Sequence, residues 1–193
     1  MEKLSDDELC DYLPQLVQAL KYEIFHDSAL VRFLIRRALG NVRLLHYFFW
    51  HLKDQIGDPQ FGQRFQIILG GLLSICGEAQ KDEFTQQDEL IADLIKVAQK
   101  VKVTKDSNRL SLVRQELEIL SLDLFDTVRL PINPGLEVVG MDWQSCGYFT
   151  SNSAPLKLVF KNADHFGDPV QAIFKIGIIF YFIHGYRDRS NSD

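Results

Sequence analysis

The residues best suited to chemistry lie between Tyr148 and Gly177, YFTSNSAPLKLVFKNADHFGDPVQAIFKIG. A polar loop, Ser151-Asn152-Ser153, precedes two apolar strands, and Lys175 stands near the end of the second. Backbone N–H groups of such a loop can approach phosphate oxygens while a strand ammonium neutralises their charge. On residue type alone, Lys175 is equally an ordinary edge-strand lysine and Ser151–Ser153 a solvated hairpin loop. The chain carries no GxGxxG or GxxxxGK[ST] signature at the loop. His46 and His51 flank Trp50 five residues apart, not at the i, i+4 spacing of a helical zinc pair. They read as partly buried helix histidines. Cys10, Cys76 and Cys146 are odd in number and widely spaced, which argues against a disulfide framework or a zinc site. No base stands beside Cys146 in the sequence, so it is not read as a nucleophile. Arg36-Arg37 and the group Lys100, Lys102 and Lys105 read as solvated faces.

The elements that must carry this stretch are mostly helical. From Leu4 to about Phe125, apolar residues recur at steps of three and four. Ser5-Asp6-Asp7-Glu8 reads as a capping start, with a first helix ending near Tyr12 and Pro14 opening the next. Leu13, Leu16, Val17, Leu20 and Ile24 form the stripe of that second helix. Gly40 and Asn41 punctuate the chain before an aromatic helix, RLLHYFFWHLKD, apolar over so much of its circumference that it should pack between two others. Gly57-Asp58-Pro59 reads as stop, cap and first-turn proline. The following helix carries Gly70-Gly71, which would permit close approach by a neighbour. Gly77 to Phe84 is polar and reads as loop or frayed helix. Two more amphipathic helices follow, with Leu110, Val113, Leu117, Leu120 and Leu124 on the last. Short connections make neighbours antiparallel.

The period changes near Asp126. Leu130-Pro131-Ile132-Asn133-Pro134-Gly135 reads as a connector. Strands are expected at 136–139, 147–150, 156–161 and 170–176, with 162–168 as a turn. The apolar tail 178–183 is β-prone and expected to add a strand beside 170–176 or to remain unpaired. The fold class is therefore mainly α with a small β part: an antiparallel helical array over 1–126, a partial antiparallel sheet over 127–177, and a tail over 178–193.

Composition bounds the function classes. Net charge is −5 over 193 residues, with 46% hydrophobic and 24% charged residues. That describes a globular chain without the basic field that favours nucleic acid. The acidic start, Glu2 to Glu8, is unlike a signal peptide, and the longest apolar run is far short of a membrane helix. The reading is a cytoplasmic chain.

With these residues laid out, the chain resembles a phosphoinositide 3-kinase, most closely class II of the gamma type. The first passage is Tyr12–Glu23, YLPQLVQALKYE, which looks like the first long helix of the family's helical (PIK) domain. The second is Leu44–Lys53, LLHYFFWHLK, which looks like its aromatic helix. The third is Leu130–Pro134 with Cys146–Lys157, CGYFTSNSAPLK, which resembles the entry into the kinase N-lobe and its phosphate loop. The resemblance implies a PIK-type superhelix followed by a partial N-lobe. It places Ser151, Asn152 and Ser153 over the phosphates of ATP, Lys175 on a phosphate, and Ile173 on the adenine side. It implies ATP and Mg2+ as cofactors, and transfer of the γ-phosphoryl group to the inositol 3-hydroxyl of phosphatidylinositol or its 4-phosphate at a membrane surface. Partners implied are the phosphoinositide lipid and other kinase domains or protein partners met through the helices.

The departure begins after Gly177. The family continues into a hinge and C-lobe, whereas this chain reads Ile178–Tyr186 and then Asp188-Arg189-Ser190-Asn191, a faint echo of a catalytic Asp-Arg-His-Asn with serine for histidine. A phosphate loop and lysine without a base or metal ligands do not assemble a transition-state site. The expectation is a truncated kinase with no catalytic or metal-binding residue of its own, inactive alone. The alternative is a non-catalytic helical protein-interaction scaffold.

Overall fold

The computed structural model describes residues 4–123 and 127–176, and the backbone of 178–182. It has six helices, α1 (Asp6–Ala19), α2 (Ala29–Leu39), α3 (Val42–Gln55), α4 (Gly62–Ile75), α5 (Glu78–Val103) and α6 (Asp106–Asp123). Six strands follow, β1 (Val128–Leu130), β2 (Asn133–Met141), β3 (Gly147–Tyr148), β4 (Leu156–Asn162), β5 (Val170–Lys175) and β6 (Ile178–Phe182). The chain divides into two compact units, one over residues 1–82 and one over 83–193.

In the first unit α1, α2 and α4 each pack on α3. The aromatic helix is therefore the centre of the unit, and Leu44, Leu45, Phe48, Phe49, Trp50 and Leu52 are all buried. Phe49 meets Trp50 edge to face at 5.2 Å, the geometry that the ring quadrupoles favour. The helix starts because Asn41 accepts from the N–H of Leu44.

Helix α1 corrects the expectation of a break at Tyr12. One helix runs through Pro14. Proline lacks the N–H that would reach the Cys10 carbonyl, but Leu9, Leu13 and Val17 on one face are wholly buried. Burial of that stripe outweighs one missing bond. The start is a capping box, as read: Ser5 Oγ accepts from Glu8 N at 3.2 Å, and Glu8 accepts from Ser5 N at 2.8 Å. The stripe ends at Leu20, because the chain leaves the helix through a short 3-10 turn and Ile24 is 84% exposed.

Arg37 is not part of a solvated face. It donates to the Asp6 carboxylate at 2.5 Å and to the Leu4 carbonyl at 2.9 Å, while Asn41 donates to the other Asp6 oxygen at 2.9 Å. These charge-assisted bonds hold the Asp6 carboxyl below its ordinary range, Arg37 contributing most. They tie the start of α1 to the junction of α2 and α3.

Helix α4 begins later than Pro59. Asp58 accepts from the N–H groups of Gln60 and Phe61 at 2.9 and 3.0 Å, so its side chain organises a turn before the first full helical turn. Lys21 donates to the same carboxylate at 2.9 Å. Lys21 first, then the two N–H groups, push the Asp58 pKa down to about 2. Gly70 and Gly71 are exposed, and a Cβ at either would meet nothing within 4 Å. The close approach that these glycines would permit is not used among the described residues. Gly77 stops α4 at φ +90°, and α5 begins at once. The polar run 78–84 is helix because Phe84 and Gln87 continue its buried stripe toward Leu90, Ile91 and Leu94.

In the second unit, α6 packs against β2 and β3. Val113, Leu117 and Leu120 are buried as expected, but Leu110 is 43% exposed; Leu124 lies outside the described residues. The sheet runs β1-β2-β4-β5-β6 with β3 added on β4, every pair antiparallel. Leu130 is not connector but the end of β1, which forms a hairpin with β2 through Pro131-Ile132. The first tail segment takes the paired option, with Ile178 opposite Lys175 and Phe182 opposite Ala172. The Asp188–Asn191 echo lies outside the described residues.

Candidate functional site

The loop Phe149–Pro155 joins β3 to β4 and is closed at its root by Phe149 N donating to the Pro155 carbonyl at 2.9 Å. Inside it, Ser151 N donates to Phe149 O at 2.9 Å and Ala154 N to Ser151 O at 3.0 Å. Ala154 closes the turn at φ +40°, a region L-residues rarely occupy. The turn leaves the N–H groups of Asn152 and Ser153 without a hydrogen-bond partner among the described residues. The Ser151 and Ser153 hydroxyls lie 3.4 Å apart. Thr150, Ser151 and Asn152 are exposed. The loop offers hydrogen-bond donors and carries no carboxylate of its own.

The strands bring Lys175 to this loop. Register pairs Leu156 with Phe174 and Lys157 with Ile173, so the next step along the ladder sets Lys175 across from Pro155, the last residue of the loop. Alternation assigns the faces. Leu156, Leu158 and Phe160 on β4 and Val170, Ala172 and Phe174 on β5 are buried. The opposite face carries Lys157, Lys161, Gln171, Ile173 and Lys175, all exposed or half-buried; Val159 is the one buried exception. Ser151, Asn152, Ser153, Ile173 and Lys175, singled out in the sequence, thus come together at one corner of the sheet.

The loop root is braced by residues the sequence reading passed over. Arg109 of α6 donates to the Val101, Thr104 and Lys102 carbonyls at 3.0, 2.9 and 3.3 Å, capping the end of α5. Its guanidinium also lies 5.8 Å from the Tyr148 ring centre, a cation–π distance. A basic residue three positions after Asp106, the first residue of α6 and its ion-pair partner, is the local signal of this role. Cys146, just before β3, is buried and accepts from Val159 N at 3.2 Å. Burial pushes its thiol up to about 11, which agrees with a packing role.

The two histidines belong to the first unit. His46 is buried in α3. His51 lines a cleft of about 270 Å³ between α1 and α3 with Gln15, Gln18, Asp54 and Gln55. Burial lowers its pKa against the opposing pull of Asp54. Among the described residues no three His, Cys, Asp or Glu side chains are grouped to hold a metal, and no helix is long and apolar enough to cross a membrane.

The donor types suit a polyphosphate: two N–H groups without a partner among the described residues, two hydroxyls and a lysine near the same end of the β4–β5 ladder, with no carboxylate in the loop. They do not fit a magnesium ion by themselves, since the loop offers no carboxylate.

Residues 1–85 match the model of the phosphoinositide 3-kinase family accessory domain (PIK domain). The human phosphatidylinositol 4-phosphate 3-kinase C2 domain-containing subunit beta is 48% identical over 176 residues, 90% of this chain and 11% of the relative. The human phosphatidylinositol 3-kinase C2 domain-containing subunit gamma is 38% identical over 179 residues, 92% of this chain and 12% of the relative. Phosphatidylinositol 3-kinase 1 of Dictyostelium discoideum is 44% identical over 177 residues, 92% of this chain and 11% of the relative. The chain spans about 11% of the length of the first of these relatives. The likeness is shared across class II subunits, with identity of 48% to the beta subunit and 38% to the gamma subunit. Residues 1–85 are a PIK domain of the phosphoinositide 3-kinase family, and the chain is a homologue of the C2 domain-containing, class II members of that family.

Proposed function

We propose that this polypeptide supplies the helical scaffold and one wall of the nucleotide site of a phosphoinositide 3-kinase. The observation that carries the reading is the β4–β5 register, which sets the donor loop 151–153 and Lys175 at the same end of the ladder. The N–H groups of Asn152 and Ser153 and the two serine hydroxyls hold phosphate oxygens. Lys175 neutralises their charge, and Ile173, two residues back on the same face, packs beside the adenine. ATP, when bound, supplies the γ-phosphoryl group that the family transfers to the inositol 3-hydroxyl of a phosphoinositide at a membrane surface.

On this reading the described residues do not transfer phosphate by themselves. Phosphoryl transfer needs positioned metal ions and a group to orient the attacking hydroxyl, and the loop corner holds neither a carboxylate cluster nor a histidine. The finer reading is therefore a nucleotide-wall and scaffold polypeptide without turnover. A second reading, a helical module docking other protein surfaces, is favoured by the exposure of Tyr22, Ile24 and Phe25 in the first unit. The two readings are compatible, because they use different units.

Titration of the purified chain with ATP, followed by hydrogen exchange, tests the nucleotide reading. Saturable protection of residues 149–157 and 170–175, weakened by Lys175→Ala, is expected. Absence of protection leaves scaffolding alone. Lipid phosphorylation by the purified chain, abolished by Lys175→Ala, overturns the claim of inactivity.

A further inference from the structure

Lys157 was given no role by residue type or by resemblance, yet the register sets it in the site. It stands directly opposite Ile173 in the β4–β5 ladder. Residues directly opposite each other share a face, with Cβ atoms about 5 Å apart, and the diagonal neighbour two residues on lies at about 7–8 Å. Lys175 is that diagonal neighbour. Two ammonium groups on flexible four-carbon stems therefore flank the same patch. Neither makes an ion pair among the described residues.

This pairing runs against local electrostatics. Like charges in neighbouring cross-strand positions repel, and the chain has an excess of acidic residues, 26 against 21 basic, with which it could have neutralised them. An anion placed between the two lysines turns that repulsion into two attractions. The N–H donors of Asn152 and Ser153 stand at the same corner, where β4 begins. Lys161 supplies the contrast. It lies on the same face but four residues further along β4, about 13 Å from Lys157 at the rise of a strand, and is out of reach of the loop.

We infer that Lys157 is a second phosphate-binding cation of the nucleotide site, its stem beside Ile173 and its ammonium shared with Lys175 on the polyphosphate. The inference rests on the nucleotide reading above and adds a residue to it. Lys157 also sets specificity: its contribution grows with the number of phosphates and is nil for the bare nucleoside.

Calorimetric titration of the full 193-residue chain with ATP, ADP and adenosine tests this, using Lys157→Met, Lys157→Arg, Lys175→Ala and Lys161→Ala. The methionine keeps the stem and removes the charge. A charged hydrogen bond lost from a partly exposed site corresponds to about a tenfold weakening. Lys157→Met should weaken ATP about tenfold and ADP by less. Adenosine should be unchanged, Lys157→Arg should retain most of the ATP affinity, and Lys161→Ala should match the parent. If the parent and Lys175→Ala differ for ATP but Lys157→Met equals the parent, this inference alone fails. It also fails if Lys157→Met weakens adenosine as much as ATP. If the parent binds no ATP, the nucleotide reading fails and takes this inference with it.

Discussion

The same substitution, glycine to alanine, should have opposite signs at two places in one helix. At Gly70 and Gly71 of α4 an added Cβ meets nothing within 4 Å. The change then acts only through backbone entropy, where alanine is favoured over glycine in a helix by about 0.8–1.0 kcal/mol per residue. The double variant Gly70→Ala/Gly71→Ala should gain about 2 kcal/mol. At Gly62, the first residue of the same helix, a Cβ would fall 2.2 Å from the Ile56 carbonyl oxygen and 3.1 Å from its carbon. That oxygen belongs to backbone and has no flexible end to withdraw. Relieving the clash requires a shift of about 1 Å, and overpacking of this kind costs about 1–3 kcal/mol. For a unit of 82 residues, 1 kcal/mol moves the midpoint by about 4–8 °C. The double variant should therefore melt about 8–16 °C above the parent and Gly62→Ala well below it. Fluorescence of Trp50, buried in α3, reports the unit once Trp143→Phe silences the second tryptophan in every variant. A stabilised Gly62→Ala would refute the steric argument. A destabilised double variant would mean that the bare glycine face is covered in the folded protein.

Other outcomes follow from the same structure. Phe48→Ala, at a site with no exposure, should cost about 3–5 kcal/mol by urea unfolding, whereas exposed Val42→Ala should stay within about 0.5 kcal/mol. Ser5→Ala removes the reciprocal cap of α1 and should cost about 1 kcal/mol, with no loss on Ser5→Asp. The Asp58 carboxyl is held at about 2 against an ordinary 3.8, so unfolding takes up a proton between these values. Its contribution is complete above about pH 4 and is lost as pH falls toward 2; in Asp58→Asn that part of the acid transition should vanish. Thiol titration should find Cys10 and Cys76, both partly exposed, reacting in the folded chain, while Cys146 reacts only on denaturation.

Which parts of this were legible beforehand depends on how local the physics is. The capping box at Ser5, the Asn41 cap, the core helix 42–55 and strands β4 and β5 follow from spacing, because a cap or a period of 3.6 or 2 is carried by neighbouring residues. Pro14 misled because its local cost is visible in the sequence and the burial of Leu9, Leu13 and Val17 that overrides it is not. Gly70-Gly71 left the question open: small residues show that an approach is permitted, not that anything approaches. Arg37 looked like a solvated charge because Asp6, its partner, is 31 residues away.

At the site, the sequence by itself determined the inventory, a donor loop, an apolar strand pair and a lysine on the second strand. It also determined, through alternation, that Ile173 and Lys175 share a face. It took the folded sheet to set the loop and Lys175 at one end of the ladder, to bring Arg109 over the Tyr148 ring, and to put Lys157 across from Ile173. The physical reason is register. One step of slippage between β4 and β5 would send every side chain of one strand to the other face, and pairing across a seven-residue turn is set by the packing of the whole sheet, not by the residues of either strand.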